Sequence, residues 1–313
     1  MSSRNKVIVE APSSLGLRSR GVERLPARLL GFGLAERIGA REVRRLTAPA
    51  KCGRFDPEPR VLNARALRDW SPILADAVGS VLADGDFPVV LGGDCTILLG
   101  SMLALRRQGR FGLLFIDGNA DFFQPEAEPF GEAASMDLAF VTGHGPALLT
   151  DFEGLGPLVR LEDTVAFAFR DHEDQAESGS QPLPAALRAI DLPTVRRLGI
   201  GAAARAAVDH LDRPELDGFF IHLDADVLDQ AIMPAVDYLY PGGLSWEELA
   251  RVLRIALASG KAVGLEVTIY NPDLDGDGHA GCGLFALLAA VLGTAEIGEP
   301  GLDPKALETA DRR

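Results

Sequence analysis

At 313 residues and 47% hydrophobic content, the chain suffices for one large domain or two small ones. Its 45 Asp and Glu against 31 Lys and Arg leave a formal net charge of −14, with no persistent basic cluster, which argues against nucleic-acid binding. Three cysteines, Cys52, Cys95 and Cys282, build no disulfide framework and fit a reducing compartment.

The first residues lack the apolar core of a signal peptide, and residues 282–295 are too short an apolar run to span a bilayer. With no long linker and no internal repeat, the expectation is a single cytoplasmic domain over residues 1–313 with no membrane partner. Strand-like and helix-like segments alternate along it. Residues 7–10 read as a strand, 21–38 as loop and helix, and 62–83 as a long helix closed by Asp84-Gly85. Residues 87–91 form the next expected strand. The turn Gly92-Gly93-Asp94-Cys95 leads from it into a helix at 97–107. A strand at 111–116, a helix near 139–149, strands at 164–169 and 187–192, and helices at 195–198 and 202–211 follow. A strand at 218–223 precedes a helix at 245–258, whose Ser245 and Glu248 have capping-box spacing. A strand at 262–269 and a helix at 283–292 complete the pattern. Strands apolar on both faces that alternate with helices predict an α/β fold with a mainly parallel sheet.

Two Asp-rich segments end apolar strands: Asp117-Gly118-Asn119-Ala120-Asp121 and His222-Leu223-Asp224-Ala225-Asp226. Residues two apart share a strand face, so Asp117, Asn119 and Asp121 point one way, as do His222, Asp224 and Asp226. Converging buried carboxylates repel one another and need a counter-charge, for which a divalent metal is the simplest candidate. Active sites of open α/β sheets lie beyond the strands' carboxyl ends. The Gly92–Cys95 turn, both Asp-rich segments and the Asn271-Pro272 corner all fall at such ends.

These residues resemble the arginase/agmatinase/formiminoglutamase family, the ureohydrolases. Leu91-Gly92-Gly93-Asp94-Cys95 resembles its Gly-Gly-Asp-His turn, Asp117-Gly118-Asn119-Ala120-Asp121 its Asp-Ala-His-x-Asp, and Asp224-Ala225-Asp226-Val227-Leu228-Asp229 its Asp-x-Asp-x-Leu-Asp. The stretches from Gly21 to Leu34, Pro241 to Ser245 and Gly264 to Pro272 match further landmarks. The resemblance implies a three-layer α/β/α arginase-like fold with an eight-stranded parallel sheet. It also implies a dinuclear manganese site and the trimers or hexamers common in the family, hence a homo-oligomer.

The family's metals are held by four Asp and two His. Asp117, Asp121, Asp224 and Asp226 match the carboxylates, but Cys95 and Asn119 stand where the His belong. One metal would take Cys95, Asp117, Asp121 and Asp224. The other would take Asn119 and Asp226 with Asp117 and Asp224 bridging. A thiolate at Cys95 shifts preference from manganese toward zinc or iron. An amide oxygen at Asn119 is a weaker ligand than imidazole, making its site the one of lower affinity, with one or two ions bound. The family's proton-handling loop His aligns with Ala134, and its guanidinium-contacting Glu with Ile269. The Gly-Gly-Asp-Cys, Gly-Glu-Ala-Ala-x-Met-Asp-Leu-Ala and Gly-Leu-Glu-Val-Thr-Ile combination resembles a divergent branch.

Several of the remaining candidates keep two readings. Cys95 is a ligand or a small buried hydrophobe. His222 orients a ligand or is a satisfied core histidine. His144 is a candidate to reach the site as a catalytic group beside Asp121. Glu266 is a supporting hydrogen-bond acceptor. Glu132 and Asp137 recognise a cation or move protons, or are solvated loop charges. Asp273-Leu274-Asp275-Gly276-Asp277-Gly278 opens like a calcium loop, but Leu284 stands where the bidentate Glu is required. The leading functional expectation is hydrolysis of a C–N bond in a guanidino- or amidino-type small molecule other than arginine, by metal-activated hydroxide. The rivals are an inactive arginase-fold binding or regulatory subunit and a one-metal enzyme of altered chemistry.

Overall fold

A computed structural model describes residues 4–51 and 53–293, so Cys52 and both chain ends lie outside the described residues. In chain order the elements are β1 (Lys6–Glu10), α1 (Leu25–Gly31), α2 (Leu34–Ile38), β2 (Ala40–Arg45), β3 (Phe55–Asp56), β4 (Val61–Leu62), α3 (Ala64–Ala83), β5 (Phe87–Leu91) and α4 (Ile97–Arg106). Then come β6 (Gly112–Ile116), α5 (Asp137–Val141), α6 (Ala147–Thr150), β7 (Thr164–Phe167), α7 (His172–Ser178), β8 (Arg188–Ile190), α8 (Leu192–Leu198) and α9 (Ile200–Leu211). The last are β9 (Phe219–Asp224), α10 (Trp246–Ala258), β10 (Ala262–Thr268) and α11 (His279–Leu292).

Eight strands form one parallel sheet in the order β2-β1-β5-β10-β9-β6-β7-β8, and β3 and β4 make a separate small hairpin. The three layers follow from the two-residue period of the strands. Val7, Val9, Leu113 and Phe115 pack with α3, α4 and α5, whereas Ile8, Leu114 and Ile116 pack with α1, α2 and α8 to α11. Each face thus buries alternate residues of the same strands, which is why the strand sequences read as unbroken apolar runs.

Local signals hold at several termini. Ser245 Oγ accepts from the Glu248 amide at 3.2 Å while Glu248 accepts from the Ser245 amide at 3.0 Å, the reciprocal capping box of α10. The calcium-like loop caps α11 instead. Asp275 accepts from the Ala280 and Gly281 amides and from the Tyr270 hydroxyl.

Three differences from the sequence reading have physical causes. β2 is an edge strand of mostly charged, half-exposed residues with no apolar alternation to reveal it. The expected helix near 139–149 is two, α5 and α6, interrupted at Gly143 (φ +87°) and Gly145 (φ +146°). Helix α7 is short and polar and escaped the periodic reading. Consecutive strands β5 and β6 stand apart, with β10 and β9 inserted between them. The four together present their carboxyl ends to one crevice.

Candidate metal centre

At the end of β5 the chain turns tightly under the loop that follows β1. A Cβ on Gly93 would lie 1.6 Å from the Ser13 carbonyl oxygen, so only glycine fits there. The Asp94 amide donates to that same oxygen at 3.0 Å, and the Asp94 carboxylate accepts from the Thr96 amide and the Ser13 hydroxyl. This turn holds Cys95 buried and aims its thiol at Asp224 Oδ2, 2.8 Å away. Asp224 closes β9; its Oδ1 accepts from the Asp226 amide at 2.8 Å and its Oδ2 from the Thr268 hydroxyl at 3.1 Å.

Asp117 follows β6. Its Oδ1 accepts from the Asn119 amide at 2.6 Å, while Oδ2 is buried with no hydrogen-bond partner. Asp226 accepts from the Gly118 amide at 2.9 Å and from Asn119 Nδ2 at 2.8 Å. Asn119 therefore turns its amide nitrogen to Asp226, not the oxygen expected to face a metal. The carboxylate demands a donor there, and Nδ2 supplies it.

His222 lies two residues before Asp224 on the same face. The strand register places it level with Glu266 on one side and Phe115 on the other. Its Nδ1 is 2.7 Å from Glu266 Oε1, and Glu266 Oε2 accepts from the Ser101 hydroxyl at 2.6 Å. The imidazole stacks on Phe115 at 4.5 Å between centroids. Its Nε2, 3.7 Å from Asp117 Oδ2, has no hydrogen-bond partner. One ligand atom each from Cys95, Asp117, His222 and Asp224 lie within 4.8 Å of one another.

The electrostatics are those of crowded, buried carboxyls, with Arg170 beside Asp226 and Asp117 as a neighbouring cation. Burial raises the pKa of Asp117 well above the carboxylate range, reinforced by Asp121, Asp226 and Asp224. Burial and then Asp226 do the same to Asp224, and burial and then Asp137 to Asp121. Burial, then Asp224, pushes the Cys95 thiol up. A divalent cation would reverse each of these costs. The orphaned Asp117 Oδ2 and His222 Nε2 are donor atoms that such an ion would satisfy, so the residues fit a metal.

Above this cluster opens a cavity of about 330 Å³. Cys95, Asn119, Asp121, Asp224 and Asp226 line its floor, and Glu128, Asp171, Asp174 and Glu177 add carboxylates to its wall. Two floor and wall residues have left-handed backbones rare for side-chain-bearing residues: Asp121 (φ +43°) and the β-branched Ile269 (φ +69°).

Residues 7–292 match the Arginase family. The chain belongs to that family. It is 26% identical over 294 residues to arginase from Staphylococcus aureus strain COL, covering 91% of this chain and 96% of that one. Its fold superposes on native arginase from Bacillus caldovelox with a TM-score of 0.82 at 25% identity, covering 94% of this chain and all of the other. Proclavaminate amidino hydrolase from Streptomyces clavuligerus shares the fold with a TM-score of 0.66 at 17% identity, covering 93% and 91% of the two chains. Arginase-family membership, in a family of binuclear metal enzymes that typically use manganese, supports a metal-dependent amidino hydrolase. Among the described residues no helix is long and apolar enough to cross a membrane.

Within the arginase fold, Ala134 and Ile269 both line the cavity, placing apolar surface where the resemblance sets a proton-handling His and a guanidinium-contacting Glu. His144 is not among the cavity-lining residues. Its ring packs on Phe122 and its Nδ1 faces the Thr142 hydroxyl at 3.2 Å, because the Gly143 turn carries it past the end of α5. Glu132 lines the cavity with both oxygens engaged, one by the Arg18 amide at 2.5 Å and one by the Tyr238 hydroxyl at 2.6 Å. Asp137 is wholly buried at the start of α5, not solvated. Burial raises its pKa strongly, and its carboxyl lies beside that of Asp121. Sequence reasoning did not single out Asp171, whose buried carboxylate accepts from the Ala120 amide at 3.1 Å and braces the Asp121 loop. Its position just past β7 was the available signal.

Proposed function

We propose that the protein is a single-domain, cytoplasmic, metal-dependent hydrolase of a C–N bond in a small cationic guanidino or amidino compound other than arginine. The observation that carries this reading is the buried set of Cys95, Asp117, His222 and Asp224, with two unpartnered donor atoms, beneath a cavity walled by carboxylates. Cys95, Asp117, Asp121, Asp224 and Asp226 are the chain's candidates to hold the ion, manganese by family and zinc or iron by the presence of Cys95. When bound, such an ion lowers the pKa of a water molecule and so makes a nucleophile available at neutral pH.

The chain's own groups supply the rest. Glu128, Asp171, Asp174 and Glu177 attract a cation into the cavity by their summed charge. Asp121 faces the cavity beside the ligand set, so its carboxylate can accept a hydrogen bond from the attacking water and orient it. Phe123, Phe130, Tyr238 and Tyr240 line the remaining wall and limit water around the substrate. Ile269 offers no carboxylate to the arginine head group, which favours a different amidine. As in the family's trimers and hexamers, the partners proposed are the small substrate and further copies of the chain.

The test is release of urea or ammonia from a panel of guanidino and amidino compounds, with arginine as control, by protein loaded with manganese or zinc. Turnover of any panel member that is lost in Asp121→Asn supports the hydrolase. No turnover of any member overturns it in favour of a binding or regulatory protein. Asn119 turns an amide nitrogen and not a donor oxygen toward Asp226, which deprives a second ion of one ligand and favours that second reading.

A further inference from the structure

We propose that Cys95, Asp117, His222 and Asp224 form a four-ligand site for a single zinc ion, with His222 a direct ligand through Nε2. The proposal deepens the hydrolase reading and rests on it for relevance to turnover, which requires zinc to expand to five-coordination and admit a water beside the four protein ligands; ligation is its own observable. The family pattern calls for no ligand at position 222; its two histidines align with Cys95 and Asn119. In this chain an imidazole from the neighbouring strand face stands in for them.

Three observations converge. The four donor atoms lie within 4.8 Å of one another. Tetrahedral ligands on zinc stand about 3.3–3.6 Å apart. The 2.8 Å from Cys95 Sγ to Asp224 Oδ2 and the 3.7 Å from His222 Nε2 to Asp117 Oδ2 lie on either side of that spacing, so small side-chain adjustments close the set. His222 Nε2 and Asp117 Oδ2 are both fully buried, face each other and have no hydrogen-bond partner. A histidine kept only for packing would not leave its nitrogen orphaned against a carboxylate.

The third observation is the support behind the ring. Glu266 Oε1 lies 2.7 Å from His222 Nδ1 and Glu266 is itself held by Ser101, an arrangement that engages Nδ1 and leaves Nε2 as the ring nitrogen facing Asp117. A carboxylate behind a histidine is the usual means of orienting a metal-bound imidazole. Phe115 stacks parallel on the ring and fixes its plane. One thiolate, one imidazole and two carboxylates are a donor set that favours zinc over manganese. The other half of the family's dinuclear centre lacks a ligand here, since Asn119 stands in place of an imidazole and turns its Nδ2 to Asp226.

The experiment is zinc K-edge X-ray absorption on protein stripped of metal and reloaded with zinc, together with competition between zinc and manganese. The expected result is one zinc per chain, with one sulfur scatterer and the multiple-scattering pattern of one imidazole, not displaced by a hundredfold excess of manganese. His222→Ser should lose the imidazole pattern and weaken zinc binding by about 100-fold or more. Glu266→Gln should keep the pattern and lose about 10–100-fold. Should His222→Ser fail to fold, Cys95→Ser serves as the second variant: sulfur scattering disappears and the imidazole pattern stays. A wild-type spectrum without imidazole, an unchanged spectrum in His222→Ser, or equal competition by manganese overturns the proposal. Amidine turnover without an imidazole ligand leaves the hydrolase standing and removes this inference. Zinc held by imidazole and thiolate without turnover does the reverse.

Discussion

Replacing Asp224 by Asn should stabilise the metal-free protein and abolish its stabilisation by metal. Asp224 and Asp117 present oxygens within 4.8 Å of each other in a fully buried site. Two unit charges at that separation, at an effective dielectric near 20, would repel by roughly 3.5 kcal/mol, an upper bound because protonation of either carboxyl relieves it. Asparagine is nearly isosteric and keeps an oxygen for the Asp226 amide. Thr268, which donates to Asp224 Oδ2, has the Leu223 carbonyl as a second acceptor at 3.4 Å. The contact with the Cys95 thiol is weakened, a loss of about 1 kcal/mol. The net gain is at most about 2 kcal/mol, or roughly 4 °C in Tm for a protein of this size.

The gain depends on pH in a defined direction. The folded-state pKa values of Asp117, Asp121 and Asp224 are raised above their unfolded values. Stability from such groups is fully present below the unfolded pKa and is lost as pH rises through the folded one. The difference between Asp224→Asn and wild type should therefore vanish near pH 4 and grow toward neutral pH. Carboxyls with lowered pKa, such as Asp191 and Asp229, act with the opposite sign, but they cancel in that difference. With zinc at a hundred times its Kd, wild type gains about 2.7 kcal/mol and the variant little. Differential scanning fluorimetry from pH 4 to 8, with chelator and with zinc, measures all of this. A metal-free variant less stable than wild type at pH 7.5 would refute the argument that these carboxylates repel one another.

Arginine should release urea at least about 100-fold more slowly than the best panel compound, the scale of a lost hydrogen bond to a charged group at Ile269 together with a missing proton carrier at Ala134; a colorimetric urea assay decides this. Asn119→His should raise metal stoichiometry from one to two per chain, since imidazole is the better ligand and leaves Asp226 Oδ2 free, as read by isothermal titration with zinc or manganese. Gly93→Ala should lower stability by about 3 kcal/mol or more in urea unfolding, because its Cβ would meet the Ser13 carbonyl oxygen at 1.6 Å and backbone on both sides must shift. Glu132→Gln should leave zinc binding unchanged and shift only substrate affinity, since Glu132 braces Tyr238 in the cavity wall and does not reach the ligand set; comparing zinc Kd with KM separates the two.

Much of this protein is determined locally. Apolar runs that pack on both faces announce a buried parallel sheet, and Ser245 and Glu248 set the start of α10 through bonds spanning three residues. The two-residue strand period puts His222 and Asp224 on one side of β9, but β6 ends at Ile116 and β9 at Asp224, so Asn119, Asp121 (φ +43°) and Asp226 are placed by the turns that follow and not by the strand period expected from sequence. Order along the chain assigns both Asp-rich segments, and Cys95, to carboxyl ends of strands. What the local pattern could not decide is adjacency. Cys95 meets Asp224 across 129 residues, and His222 meets Glu266 across 44, only because β10 and β9 are inserted between β5 and β6. The role of His222 turns on which of its nitrogens is engaged, a fact supplied by a neighbouring strand and by Ser101 on α4. The same dependence on distant partners turned Asn119's nitrogen to Asp226 and left His144 against Phe122 outside the cavity. β2 carries no apolar alternation of its own, and it is a strand because β1 offers it an edge to pair with.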